Sequence, residues 1–170
     1  MTQTNKMTEI RVAKVTLNIG AGKNEDLLTK GVKLLQKLSP IKPVKTITDK
    51  RIPGWGLRPG LAIGAKATIR KNTDELLKRL FVAKEKRIPS KSFDERGNMS
   101  FGIPEYIDIG GLEYDPDLKI LGLEVAITLE RPGYRVKRRR IRSMNIGKNH
   151  QVTKEQAITF IQEKFGVEVY

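Results

Sequence analysis

From residue 11 to 19 apolar and polar side chains alternate, with Ala13, Val15, Leu17 and Ile19 on one side and Val12, Lys14, Thr16 and Asn18 on the other. A period of two marks a strand with one buried face. The spacing then changes. Asn24, followed by Glu25 and Asp26, opens a helix whose Leu27, Leu28, Gly31, Leu34, Leu35 and Leu38 recur at three- and four-residue intervals, and Ser39-Pro40 ends it. Val44 to Thr48 has the β-branched content of a short strand. Residues 63 to 70 alternate again, Ile63, Ala65, Ala67 and Ile69 opposite Gly64, Lys66, Thr68 and Arg70. Asn72 with Glu75 three positions on reads as a capping box, starting a helix that carries Leu76, Leu77, Leu80 and Phe81 and stops near Ile88-Pro89. Residues 90 to 102 read as a loop, 103 to 110 alternate weakly, and 120 to 130 alternate strongly through Leu121, Leu123, Val125, Ile127 and Leu129. A last helix is capped by Thr153 and Gln156, buries Ala157, Ile158, Ile161 and Phe165, and ends at Gly166.

Strands with a single apolar face and helices with a single apolar stripe, in no repeating order, predict an α+β fold of two layers. The sheet is mostly antiparallel, with helices on one face and the other face open. That open face would display Lys14, Thr16, Asn18, Lys66, Thr68 and Arg70. Short polar side chains interleaved with cations suit a sugar–phosphate backbone and the 2′-hydroxyls of RNA.

Composition narrows the class. With 170 residues, 38% of them hydrophobic, one domain buries close to ~70% of the surface its unfolded chain exposes. The expected domain runs from residue 8 to 170, after a flexible N-terminus at 1–7 and with an extended loop at 53–64. The absence of cysteine excludes a disulfide scaffold, a thiolate zinc site and a cysteine nucleophile, and suits the cytoplasm. No apolar run approaches the ~18 residues of a membrane helix, so no membrane association is expected.

Charge sharpens the picture further. The formal net charge is +14, and it is concentrated. Residues 42 to 71 hold eight Lys and Arg against Asp49 alone, and residues 131 to 148 hold eight more with no acid. Two cationic zones on an otherwise balanced chain repel each other unless a polyanion neutralises them, and nucleic acid is the leading candidate. Residues 105 to 130 are acidic, with seven Asp or Glu against Lys119. The segment around Glu113, Asp115 and Asp117 could form a metal or carboxylate-pair site, but its expected role is the face turned away from the polyanion, or a contact with a basic protein.

Enzymatic motifs fail on inspection. The run Asn18-Ile-Gly-Ala-Gly-Lys23 lacks the first glycine and the Ser or Thr of a P-loop, and Glu25 stands where a dinucleotide fingerprint needs its third glycine. It reads as a strand-to-helix turn whose N–H groups are placed to hold one phosphate. His150 has no partner nearby in sequence and reads as a surface loop residue. No catalytic residue, cofactor or metal is expected. The loop carrying Gly54, Trp55, Gly56, Leu57, Arg58, Pro59 and Gly60 is longer than a hairpin turn requires. Its Trp55 either stacks on a ribose or base, with Arg58 on a phosphate, or tucks back onto the core. The run Arg135, Lys137, Arg138, Arg139, Arg140 and Arg142 is open to several readings, as a targeting signal, a tail or an RNA contact. An extended basic segment lying on phosphates is the reading adopted.

Together these segments resemble a known family. Leu17-Asn-Ile-Gly-Ala-Gly22, Lys42-Pro-Val-Lys-Thr46, Pro59-Gly-Leu-Ala-Ile-Gly-Ala-Lys-Ala-Thr-Ile-Arg70, and Lys91-Ser-Phe-Asp-Glu-Arg-Gly-Asn98 with Phe101-Gly-Ile103 are similar, in order, to the large-subunit ribosomal protein family five. The Arg131-Pro-Gly-Tyr-Arg-Val-Lys-Arg-Arg-Arg140 segment and the C-terminal helix resemble its archaeal branch. The resemblance implies a non-enzymatic, ribosome-bound protein that binds 5S ribosomal RNA and links it to 23S ribosomal RNA in the central protuberance. It implies that Asn18 and Thr68 touch the RNA, and that Lys14, Lys42, Thr46, Lys66 and Arg70 hold its backbone. The loop from Pro53 to Gly64 would reach toward transfer RNA in the peptidyl site. A neighbouring 5S-binding large-subunit protein and small-subunit protein thirteen would be its protein partners. At Ile41 the chain departs from bacterial members, which tend to carry a polar residue there. A general RNA-binding or architectural nucleic-acid-binding protein is the alternative.

Overall fold

The computed structural model describes residues 5–170. The N-terminal expectation falls, for residues 1–4, outside the described residues. Residues 5 to 8 form a turn in which the Met7 N–H donates to the Asn5 side chain and the Thr8 N–H to the Asn5 carbonyl.

Strand β1 (Arg11–Gly20) runs into helix α1 (Glu25–Leu38), and β2 (Val44–Ile47) is joined to β3 (Ala62–Ile69) by the long loop. Helix α2 (Thr73–Ala83), the short β4 (Arg87–Ile88), β5 (Met99–Ile103) and β6 (Leu123–Glu130) follow. A one-turn helix α3 (Arg135–Arg138), α4 (Lys154–Phe165) and β7 (Glu168–Val169) complete the chain. The main sheet has the order β2-β3-β1-β6-β5, antiparallel at each pairing. β4 and β7 form a separate parallel pair that ties the C-terminus down, the Tyr170 N–H donating to the Ile88 carbonyl.

The expected alternation decides which way the sheet faces. Val15, Leu17 and Ile19 of β1, Ala65, Ala67 and Ile69 of β3, and Leu123, Val125, Ile127 and Leu129 of β6 are buried on the back. There they meet Leu28, Leu34, Leu35 and Leu38 of α1 and Leu76, Leu77, Leu80 and Phe81 of α2 in one core. Phe81 stacks on Phe101 of β5 at 5.6 Å and tilts against Phe165 of α4 at 5.1 Å, joining sheet and both helices. Gly31 is where α1 comes closest to β1, because a Cβ there would lie 3.1 Å from the Ile19 side chain. The Asn24 side chain accepts from the Asp26 and Leu27 N–H groups, and the Thr153–Gln156 capping box forms in full. Gly166 ends α4 at φ 64, the left-handed conformation glycine adopts without penalty.

Four local expectations are corrected. Residues 99 to 103 form edge strand β5 rather than loop, Met99, Phe101 and Ile103 turned inward and Ser100 and Gly102 outward. The weak alternation beyond it is a 3-10 turn at Tyr106–Asp108. Asn72 precedes α2 in the left-handed conformation and its side chain caps nothing, because an N-cap needs extended backbone to reach the N–H groups of the first turn. Val12 was expected beside Lys14 on the open face. A bulge between Val12 and Lys14 shifts the register, and Val12 packs against the core.

Candidate nucleic-acid interface

The front of the sheet carries no helix, and its rows follow from the register. Val44, Lys66, Asn18, Glu124 and Gly102 lie across one row. Thr68, Thr16, Ala126 and Ser100 lie across the next, and Lys14 pairs with Thr128 beyond it. On the other side Thr46 faces Gly64, which faces Gly20. Lys66 and Arg70 are exposed, and Lys14, Thr16, Asn18, Thr46 and Thr68 are half-buried, side chains upright between their neighbours. Most of these residues are small, so the platform is flat with cations standing on it, a shape that accepts a nucleic-acid strand or shallow groove.

Three residues that β6 gives this face, Glu124, Thr128 and Glu130, were not singled out from the sequence. Glu124 stands on the front and accepts a hydrogen bond from Asn18 Nδ2 at 3.1 Å. Thr128 stands beside Lys14 and went unnoticed. The alternation of β6 already put both opposite its leucines. Glu130 follows in the same alternation, opposite Arg11 of β1, and pairs with Arg138, whereas the segment around Asp115 lies against α1. Asp115 meets Lys37 of α1 at 2.5 Å, and that hydrogen bond raises the lysine above its ordinary value and lowers the carboxyl below its own. The buried Tyr106 hydroxyl accepts from the Asp115 N–H at 2.8 Å, fixing the loop to the core.

The Gly20–Lys23 turn is not a phosphate cradle. The Ala21 and Gly22 N–H groups both donate to the Ile63 carbonyl, the Asn24 N–H donates to the Ala21 carbonyl, and the Asn24 side chain accepts from the Asp26 and Leu27 N–H groups. With those donors satisfied internally, the turn serves to bring β1, β3 and α1 together.

The loop after β2 is built as a ladder. Thr48 accepts from Gly60 and donates to Leu61, Ile52 and Leu57 exchange two hydrogen bonds of 3.1 Å, and a 3-10 turn at Pro53–Trp55 closes the tip. Trp55 is 71% exposed, so it does not tuck back onto the core. Gly54, Gly56, Arg58, Pro59 and Gly60 are exposed as well. Leu57 is the exception among the expected contact residues: it is buried, inside the loop and apart from the main core, and anchors the ladder. Lys42 is exposed at the start of β2, and Val44 and Ile47 leave apolar side chains in solvent along that edge.

The second basic zone is folded rather than extended. Arg135 to Arg138 turn as helix α3, the Met144 N–H donates back to Val136, and the Ser143 hydroxyl donates to the Lys137 carbonyl. Arg131 donates to the Asn149 carbonyl and the Gln156 side chain, and His150 lies 2.7 Å from the Pro132 carbonyl, so that histidine staples the segment instead of sitting free. Arg138 pairs with Glu130, and Arg139 donates to the Arg142 carbonyl. Arg135, Lys137, Arg140 and Arg142 are left with exposed guanidinium or ammonium groups. A cleft of about 620 Å³ separates this zone from the end of β6, with Arg96, Asn98, Tyr134, Lys137 and Lys148 on its walls. Arg96 and Asn98 were not singled out from the sequence. Asp94 holds them in place by accepting from the N–H groups of both.

Among the described residues no three metal-ligating side chains converge, and no helix is long and apolar enough to cross a membrane. The front of the sheet offers a flat polar face flanked by cations.

A family model described as ribosomal protein L5 matches residues 5–58, and one describing the C-terminus of the same ribosomal family matches residues 62–160. The chain is 48% identical over 165 residues to large ribosomal subunit protein uL5 of Nanoarchaeum equitans, covering 96% of this chain and 97% of that protein. It is 47% identical over 171 residues to the uL5 protein of Sulfurisphaera tokodaii, covering 99% and 97%. With that of Sulfolobus acidocaldarius the identity is 45% over 166 residues, covering 97% and 93%.

Proposed function

Because the chain belongs to the uL5 family of large-subunit ribosomal proteins, structural constituents of the ribosome and not enzymes, we propose that it holds 5S ribosomal RNA on the front of its sheet. Family membership carries association with the large subunit and with ribosomal RNA. The choice of surface rests on one observation: Asn18, Thr16, Thr68, Lys66 and Lys14 form a continuous helix-free patch in register across two strands, β1 and β3. Lys66, Lys14 and Arg70 take phosphates, and the short side chains between them take ribose hydroxyls and base edges. Lys42 and Thr46 extend the patch along β3's other neighbour, and the exposed cations at Arg135, Lys137, Arg140 and Arg142 reach a second RNA segment, 23S ribosomal RNA in the central protuberance.

The ladder-stiffened loop with Trp55 and Arg58 at its exposed tip is suited to reach transfer RNA in the peptidyl site, the indole stacking and the guanidinium on phosphate. A second 5S-binding large-subunit protein and small-subunit protein thirteen are the proposed protein neighbours.

The test is fluorescence anisotropy with a 5S RNA transcript, an unrelated structured RNA and duplex DNA, across a salt series. With ~6 to 10 phosphates engaged, affinity for 5S RNA falls about 10³ to 10⁵-fold from ~50 to ~200 mM salt. A clear preference for the 5S transcript persists throughout. A flat salt response, or equal affinity for all three, refutes the proposal.

A further inference from the structure

The front of the sheet carries two carboxylates where a polyanion-binding surface should carry none, and they differ: Glu130, at the end of β6, is bound to Arg138, whereas Glu124 is not ion-paired among the described residues. Glu124 is exposed in the middle row, with Asn18 on one side and Gly102 on the other. Among the described residues it forms no ion pair, although Lys66 stands one strand further along the same row. Its only side-chain partner is Asn18, whose Nδ2 donates to Oε2 at 3.1 Å. That bond orients the amide, so Asn18 turns its oxygen, an acceptor, away from Glu124. The two residues therefore present acceptors side by side.

A phosphate has no hydrogen to offer and is repelled here, so the nucleic acid must bring donors to this spot. Among bases only guanine sets two donor positions together, N1–H beside the N2 amino group. Adenine and cytosine each offer a carboxylate a single amino group, with a repelling ring nitrogen beside it on the pairing edge, and uracil offers one N3–H between two carbonyls, so none of them meets both acceptors with donors. In a paired region the answer is the same, since the N2 amino group is the one base donor in the minor groove. The floor beside Glu124 is clear as well. A Cβ at Gly102 would touch nothing within 4 Å, and Ser100 and Ala126 continue the low surface in the next row. A base edge has room to slide in from that side.

We infer that Glu124 and Asn18 form a guanine-reading pair, which accepts the exocyclic amino group of one guanine of the bound RNA. This rests on the proposal that the front of the sheet holds 5S RNA and names what one point of it selects. Lys66 and Lys14 fix the strand by charge, and Glu124 rejects registers that would put a phosphate or another base at its place.

The test is analogue interference with 5S transcripts in which inosine, which lacks the amino group, replaces guanosine at random sites. Bound and free transcripts are separated with the wild-type protein, Glu124→Gln and Glu124→Ala. With wild type, inosine at one or two positions is depleted about tenfold or more from the bound pool, the scale of a lost charge-assisted hydrogen bond. That depletion vanishes with both variants, and its position shows whether the guanine is paired or unpaired. Glu124→Gln binds 5S RNA about tenfold more weakly while its affinity for unrelated RNA holds or rises. If Glu124 is only a repelling charge, Glu124→Gln tightens every RNA alike and the inosine pattern matches wild type, which overturns the inference. Wild type binding 5S RNA no better than unrelated RNA would instead overturn the parent proposal.

Discussion

Two glycines on the same face of the sheet are there for opposite reasons, and their alanine variants separate folding from binding. At Gly64 an added Cβ would lie 2.7 Å from the Ile19 carbonyl oxygen and 3.0 Å from Thr46 Oγ1, with Gly20 Cα at 3.6 Å. Two of these atoms are backbone of β1, so no side chain can swing aside and the strands must part. Overpacking of this kind costs ~1 to 3 kcal/mol. For a chain of this size each kcal/mol moves the melting temperature by ~2 to 4 °C, so Gly64→Ala should melt about 2 to 12 °C early. At Gly102 the added methyl meets nothing. Gly102→Ala removes freedom from the unfolded chain and should keep stability or raise it by ~0.4 to 1 kcal/mol. That methyl does rise from the floor beside Glu124. If RNA lies there, Gly102→Ala should weaken 5S RNA binding by about tenfold, equivalent to one lost charged hydrogen bond of ~1.5 kcal/mol. The assay is a thermal melt and an anisotropy titration on both variants. The reasoning fails if Gly64→Ala melts with the parent, or if Gly102→Ala binds as tightly as the parent.

Lys66→Ala should weaken every RNA tested and reduce the slope of log affinity against log salt by about one, since one phosphate contact is removed; an unchanged slope places Lys66 off the RNA. The Lys37–Asp115 pair sets a pH dependence that melts can follow. Asp115 is lowered, so its contribution is present above its ordinary value of 3.8 and is lost as pH falls through the lower folded value. Lys37 is raised, so its contribution is present below 10.5 and is lost as pH rises above it. Asp115→Asn should therefore show a shallower loss of stability at both ends of the pH range. Thr153→Ala removes the capping box of α4 and should cost ~1 kcal/mol without touching RNA affinity, and an equal loss of binding would mean α4 contributes to the interface directly.

Much of this was legible in advance because the relevant signals are local. The two-residue period of β1, β3 and β6 told buried from open face, and the three-to-four spacing of α1 told which side meets the sheet. Asn24 and Thr153 capped as their spacing requires. Asn72 did not, because the same residue type serves equally in a left-handed turn, and only the backbone path from β3 into α2 decides between them. β5 was hidden by its length and by Gly102, which reads as loop until β6 is there to pair with it. The phosphate cradle at Gly20–Lys23 failed for a nonlocal reason, since the Ile63 carbonyl that occupies its donors lies forty residues further along the chain. Glu124 was not singled out because net charge over a window ignores which face each residue takes. The basic run was expected to be extended, yet Glu130 and His150, just outside its two ends, fold it back, and residue type alone does not show that they pair with it.

The account stands on the front of the sheet being the RNA surface. Methyl cross-saturation from a 5S RNA transcript to the protein tests this at residue level, because Thr16, Thr68 and Thr128 carry methyl groups on the front and Val82 carries exposed ones on α2 behind the sheet. Irradiating ribose protons should attenuate Thr16, Thr68 and Thr128 while sparing Val82, exposed on α2. Attenuation of Val82 with Thr16 and Thr68 untouched would put the RNA on the helical side and contradict the account.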